Sequence, residues 1–152
     1  MEGCFITDLT LRNYRCFETL ALNFHEHLTV FVAPNGGGKT SVLDAVAVAL
    51  RLFVDTVEGR DNSRGFAARD IRRVLSPENK MEPVTPVRFE ASGNFLGHRL
   101  SWARERHSEA ASRTTTAQAG ELKHFAAGLA GRNQEWALAS RGKAPLFPLM
   151  SY

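Results

Sequence analysis

The sequence predicts a layered α/β domain in which antiparallel hairpins flank a mixed sheet, and three observations predict it. The run "LTVFVA" at residues 28–33 is apolar at nearly every position, as in a strand covered on both faces. A glycine cluster, "PNGGGKT", follows it, and a long apolar segment of helical character then runs to Val54. Alternation of apolar and polar residues before and after this unit marks hairpins. Strand, glycine turn and buried helix together make the first unit of such a domain.

The 152 residues suffice for one domain with its own core, and a hydrophobic content of 43% is ordinary for a globular chain. A formal charge of +3, from 19 basic and 16 acidic residues, permits a phosphate-rich partner without demanding one. Glu2 and Asp8 stand where a secretory leader would need a basic region and an apolar run, so none is expected. The apolar helix is interrupted by Asp44 and Arg51 and is too short to cross a bilayer. The expectation is a cytoplasmic protein with no membrane partner. Cys4 and Cys16 have neither metal nor disulfide-framework spacing and are expected as reduced, packed thiols.

Phe5, Thr7, Leu9 and Leu11 fall on alternate positions, as do Leu20, Leu22 and Phe24, with the turn-forming "RNYRCF" between them. This is a hairpin over residues 4–24. On the helical wheel Asp44, Arg51 and Asp55 lie in a stripe about 40° wide. Only that stripe needs water, and Val42, Leu43, Val46, Val48, Leu50, Leu52 and Phe53 must be covered. Residues 55–86 read as a polar, basic loop broken by Gly59, Gly65, Pro77, Pro83 and Pro86, with "AARDIRRVL" as a short helix. "VRFEA" and "RLSWAR" give a second hairpin at 87–104. Leu122, Phe125, Ala126 and Leu129 recur at helical spacing, which predicts a helix over about 117–131 with Gly131 as its stop. The apolar end "PLFPLMSY" reads as a strand in a chain that has been cut.

The octet at 33–40 fits the Walker A pattern GxxxxGK(S/T), with Ala33 in place of the first glycine. Gly36, Gly37 and Gly38 permit backbone angles and close approach that let consecutive amides point at phosphate oxygens. The helix N-terminus adds unpaired N–H groups and a positive dipole end. Lys39 reaches the β and γ phosphates, and the Thr40 hydroxyl is the expected Mg²⁺ ligand. The expected site is therefore Pro34, Asn35, Gly36, Gly37, Gly38, Lys39, Thr40 and Ser41 for Mg-ATP, with Lys39 as its catalytic residue. The bland alternative is a glycine-rich turn that binds nothing; the strand before and the helix after weigh against it. His25 and His27 form an HxH pair without a third ligand, and His98, His107 and His124 are scattered, so no metal centre is expected from them.

The stretch "ITDLTLRNYRCFETLALNF", followed after a short connector by "LTVFVAPNGGGKTSVLDAVAVAL", closely resembles the N-terminal half of ABC-class ATPases of the SMC/RecF group. Asn13, Tyr14, Arg15 and Phe17 match that group's "NFR.F"-like turn, Asn35 to Thr40 its loop, and Leu43, Asp44 and Ala45 its helix. The resemblance is strong over residues 4 to 50 and extends to the hairpin at 87–104. It implies a P-loop NTPase with an ABC-type nucleotide-binding lobe, ATP and Mg²⁺ as ligands, and a head-to-head homodimer closed through the nucleotide. It also implies DNA as a partner. The insertions and the "PLMSY" strand look most like bacterial anti-phage defence ATPases of the Septu and retron-associated kind, which adds an effector nuclease subunit.

By the same resemblance Arg15 sits beside the nucleotide phosphates or ribose, the alternative being an exposed turn arginine. Asp44 becomes a structural residue facing a neighbouring segment. Arg60, Arg64, Arg69, Arg72 and Arg73 match the region that contacts DNA in SMC-type heads, although Asp61 and Asp70 dilute the charge and a solvated loop is the simpler reading. Independently, a hairpin precedes the P-loop strand, whereas small kinases and Ras-like GTPases usually begin with that strand. The guanine-selecting NKxD and the DxxG switch are absent from the sequence.

Hydrolysis in this class needs a Walker B strand ending in Asp-Glu and a signature loop, and neither motif occurs. The chain alone is expected to lack a carboxylate to orient water and a trans loop to close over the γ-phosphate. Three readings follow: the N-terminal part of an SMC/RecF-like ATPase with its C-terminal half absent, a non-hydrolysing ATP-binding regulatory module, or another P-loop enzyme such as a kinase.

Overall fold

The computed structural model describes residues 3–60, 65–111 and 114–139, and of residues 133–139 the backbone alone. Eight elements follow one another: β1 (Cys4–Tyr14), β2 (Phe17–Asn23), α1 (Lys39–Val57), β3 (Arg73–Leu75), β4 (Met81–Pro83), β5 (Val87–Phe95), β6 (His98–Arg106) and α2 (Gly120–Ala139), with a 3-10 turn at Ala68–Asp70 before β3. The main sheet has the order β2-β1-β5-β6, and β3 and β4 form a separate two-stranded hairpin.

Period two decides which side chains fill the core. Leu9 pairs with Ala91 and Leu11 with Phe89, Ala91 in turn lies opposite Trp102, and all five are buried. α1 covers this face with Ala45, Ala49, Leu52 and Phe53, and α2 adds Leu122, Ala126 and Leu129. Phe95 joins the layers through ring contacts with Phe53 at 4.8 Å and Trp102 at 5.7 Å. The Trp102 indole N–H donates to the Ala49 carbonyl of α1 at 3.0 Å, so the largest ring of β6 also finds its polar partner in the helix.

The hairpin turns carry the required backbone. In the β5–β6 turn Leu96 and Gly97 stand at φ 52° and 84°, the left-handed conformation that two-residue turns favour. In the β1–β2 turn Tyr14 pairs with Phe17 across Arg15 and Cys16, with Asn13 and Arg15 at φ 52° and 48°.

Several expectations are corrected. Residues 28–33 form no strand, and Leu28, Val30 and Val32 are 73%, 70% and 91% exposed. A strand exists only through its neighbours' amides and carbonyls, and none of the described strands pairs with this segment. Every strand pairing among the described residues is accordingly antiparallel, where a mixed sheet is expected. The short helix expected at "AARDIRRVL" is only the turn at Ala68–Asp70, because Ile71 bridges to Tyr14 and Arg73 enters β3. α2 runs on through Gly131 to Ala139. Cys4 and Cys16 are free and exposed rather than packed. Leu43 is exposed, while Asp55 is buried against expectation. The azimuth that Asp55 shares with Asp44 and Arg51 is open at the start of α1 and closed at its end, where the wholly buried Arg104 of β6 interacts with Asp55. Burial pulls the Arg104 guanidinium below its ordinary value, and the Asp55 carboxylate opposes that. The expected terminal strand lies outside the described residues.

Candidate functional site

The glycine loop joins residues 28–33 to the first turn of α1. Gly36 and Gly38 take φ 81° and 83°, and the Gly37 amide donates to the Pro34 carbonyl at 3.0 Å, closing the loop on itself. Val42 makes the first helical bond, to the Gly38 carbonyl at 3.0 Å. Among the described residues the amides of Gly36, Gly38, Lys39, Thr40 and Ser41 have no acceptor. The first turn of α1 has neither an acidic residue nor a side-chain cap. Five uncommitted donors at a helix N-terminus favour an anion, and the described residues supply none of their own.

Lys39 folds back over the loop, its ammonium bonded to the carbonyls of Ala33 and, at 2.9 Å, of Pro34. These contacts satisfy an ammonium without a counter-charge, so an anion at the loop would meet an unneutralised cation. Pro34, Asn35, Gly36, Gly37 and Thr40 are exposed, and Gly38, Lys39 and Ser41 half-buried. The Thr40 hydroxyl has no hydrogen-bond partner among the described residues. A hydroxyl at this position can serve as one protein ligand of Mg²⁺, which keeps waters and takes further oxygens from phosphate. His25 and His27 contact each other at a ring distance of 5.6 Å, and no group of three or more His, Cys, Asp or Glu among the described residues could hold a metal ion.

The resemblance places Arg15 beside the nucleotide; the structure places it between two carboxylates. Its Nη1 donates to Asp44 at 2.5 Å, its Nε to Asp70 at 2.9 Å, and Nη2 lies 2.8 Å from the same Asp70 oxygen. Burial opposes the charge, yet the bonds it donates to Asp44 and Asp70 leave the guanidinium above its ordinary value. The guanidinium also stands 5.2 Å from the centre of the Tyr14 ring. Asp44 thus faces a neighbouring segment, namely the β1–β2 turn. Asp70, read from sequence only as a diluting acid, is buried and is the residue that sequence reasoning misses.

The basic loop is largely neutralised. Arg60 pairs with Glu58, Arg72 with Glu18 and Arg73 with Glu109. Arg69 is exposed and has no ion pair among the described residues. Arg64 lies outside them.

A family model described as an AAA domain matches residues 8–139. This chain belongs to the AAA domain family. The AAA domain is 38% identical over 42 residues to the DNA replication and repair protein RecF of Lactobacillus johnsonii, covering 28% of this chain and 11% of that protein. It is 43% identical over 91 residues to RecF of Roseiflexus castenholzii, covering 60% of this chain and 17% of that one. The AAA domain therefore spans less than a fifth of either relative's length. Among solved structures, one from work on ATP-driven dimerization and DNA stimulated activation of SMC ATPases matches with a TM-score of 0.52 at 17% identity, covering 82% of this chain and 80% of that one. The fold is that of a P-loop NTPase, and the sequence is similar to RecF over part of its length.

Proposed function

We propose that this AAA domain binds Mg-ATP through residues 34–41 as the N-terminal part of a longer, cytoplasmic SMC/RecF-like ATPase. Head-to-head dimerisation of that ATPase through the nucleotide drives a DNA-linked process or, with an effector nuclease subunit, anti-phage defence. The observation that carries the reading is the loop itself: five uncommitted amides, an uncapped helix N-terminus and Lys39 in one turn. The unpaired, exposed apolar residues at 28, 30 and 32 support the view that further sheet joins this lobe in the complete ATPase.

Each side chain has a task that the geometry allows. Lys39 exchanges two carbonyl acceptors for phosphate oxygens, a change from neutral to ionic partners that favours the loaded state. The freed carbonyls of Ala33 and Pro34 are at an exposed loop and return to water. Thr40 offers its hydroxyl to Mg²⁺, which neutralises phosphate charge when bound. The α1 amides hold the phosphates in place without moving, since the helix already fixes them.

Titration with a fluorescent ATP analogue in the presence of Mg²⁺ tests this. Saturable binding is expected, weakened about tenfold or more by Lys39→Ala. Hydrolysis by the 152-residue chain is not expected. Absence of binding, or binding indifferent to Lys39→Ala, overturns the reading; phosphoryl transfer to an added acceptor by the isolated chain replaces it with a kinase.

A further inference from the structure

The sequence contains a single Asn-Gly step, Asn35-Gly36, and it lies inside the glycine loop. The Gly37 amide donates to the Pro34 carbonyl at 3.0 Å, so Asn35 and Gly36 are the central residues of a tight turn, with Gly36 at φ 81°. Asn35 is exposed, and its carboxamide has no hydrogen-bond partner among the described residues. The Gly36 amide is likewise uncommitted among them, and even a Cβ added to Gly36 would meet nothing within 4 Å. A carboxamide free to turn therefore stands one residue before a backbone nitrogen that no neighbouring side chain shields.

That pairing has a definite chemistry in water. The Gly36 nitrogen gives up its proton and attacks Asn35 Cγ; the new C–N bond closes a succinimide ring, and the side-chain nitrogen leaves with the proton as ammonia. Water then opens one of the two imide C–N bonds, giving aspartate, or isoaspartate in which the main chain runs through the side-chain carbon. One water is consumed, one ammonia is released, and no oxidant or reductant takes part. Lys39 favours the first step, because its ammonium, 2.9 Å from the Pro34 carbonyl of the same turn, lowers the cost of a negative nitrogen. A phosphate at the loop does the reverse: it draws Lys39 to itself, engages the Gly36 N–H and adds negative charge beside the nitrogen that has to ionise.

We infer that Asn35 is a modification site, deamidated without an enzyme through the Gly36 nitrogen, and that nucleotide in the loop protects it. The deamidation needs only the turn; the protection and the consequence for binding rest on the nucleotide site proposed above. Either product places a carboxylate of the chain's own beside the uncommitted amides of Gly36, Gly38, Lys39, Thr40 and Ser41. Isoaspartate also adds a carbon to the main chain, which moves those amides relative to one another. Without nucleotide the loop ages into one that no longer accepts a triphosphate, while a loop in use keeps its asparagine.

Incubation of the chain at neutral pH, with and without the fluorescent ATP analogue and Mg²⁺, followed by mass spectrometry of a peptide covering residues 16–39, tests it. That peptide also carries Asn23, which precedes Phe24 and serves as the internal reference. Without analogue, Asn35 is expected to exchange its NH2 for OH faster than any other asparagine of the chain, and the product to accept a methyl group from an isoaspartyl methyltransferase. Analogue at about 100 times its Kd is expected to slow this about 100-fold, in proportion to the unbound fraction, and Lys39→Ala to lose most of that protection. Asn35→Gln, whose imide would need a larger ring, and Gly36→Ala, whose methyl group crowds the attacking nitrogen, are each expected to suppress the reaction. Asn35→Asp, which carries the product's charge on an unaltered main chain, is expected to weaken analogue binding about tenfold. Asn35 reacting no faster than Asn23 overturns the modification. Saturable binding with an unchanged rate overturns the protection, and an Asn35→Asp chain that binds like wild type overturns the consequence. Deamidation in a wild-type chain that binds no analogue upholds the modification and removes the nucleotide site, so the two readings fail separately.

Discussion

The Phe17 ring closes off the space beside Gly38: a Cβ there would lie 2.5 Å from its Cζ atom, whereas a Cβ on Gly36 would meet nothing within 4 Å. Both glycines hold positive φ, so both substitutions to alanine carry the left-handed penalty, but only one also displaces a neighbour. Gly36→Ala is expected to cost about 1 kcal/mol and Gly38→Ala about 2–4 kcal/mol. Chemical denaturation of the two variants checks the ordering. Phe17→Ala combined with Gly38→Ala should recover the steric part alone, and equal losses in the two single variants would show that the contact does not matter.

Tyr14 is wholly buried, and its hydroxyl has no hydrogen-bond partner among the described residues. Burial first, and then the Asp70 charge, push the phenol well above its ordinary value, so it stays neutral. An unpaired buried hydroxyl is a cost without a return. Tyr14→Phe keeps the ring contact with Phe66 and is expected to raise stability by about 1 kcal/mol. A loss of similar size in thermal denaturation would mean that the hydroxyl is bonded after all.

What sequence makes legible here is local. The hairpins and α1 follow from alternation and helical spacing, and the glycine loop from residue types whose roles lie within eight positions of one another. The Arg15 clasp is not legible, because Asp70 lies 55 residues away and meets Arg15 only once the chain has closed. Arg104 illustrates the same limit: period two puts it on the inner face two positions after Trp102, yet a charge there reads as solvated. Residues 28–33 fail for the opposite reason. Their apolar run describes a covered strand, but the cover must come from partners that are not among the described residues.

Asp55 of α1 is buried, with the exposed Arg51 at 3.8 Å, and its charge also acts on the buried Arg104 of β6. Arg104 also donates to the Thr115 carbonyl at 3.1 Å. Asp55→Ala is expected to destabilise the chain by about 1–3 kcal/mol, since the buried Arg104 guanidinium loses the carboxylate charge that opposes its desolvation. Replacing both, as Asp55→Leu with Arg104→Met, should recover most of that loss. Equilibrium denaturation of the single and double variants decides; a double variant no better than Asp55→Ala would show that the pair contributes by shape and not by charge.

Asp8 gives the fold an acid-sensitive contact on the open face of the sheet. Its carboxylate accepts from Ser92 at 2.6 Å, Thr7 at 2.7 Å and Asn23 at 2.7 Å, with Arg99 at 3.7 Å. The Ser92 and Thr7 bonds, ahead of Asn23 and the Arg99 charge, hold its pKa below the ordinary 3.8. Between the two values the unfolded chain binds more protons than the folded one, so stability rises with pH through that window. The contribution is complete above the ordinary carboxylate value and is lost as pH falls through the lowered folded one. Asp8→Asn accepts fewer bonds and does not titrate. The melting temperatures of wild type and Asp8→Asn should therefore differ most near neutral pH and converge as pH falls below about 4. A difference that stays constant across this range would locate the contribution of Asp8 in something other than its charge.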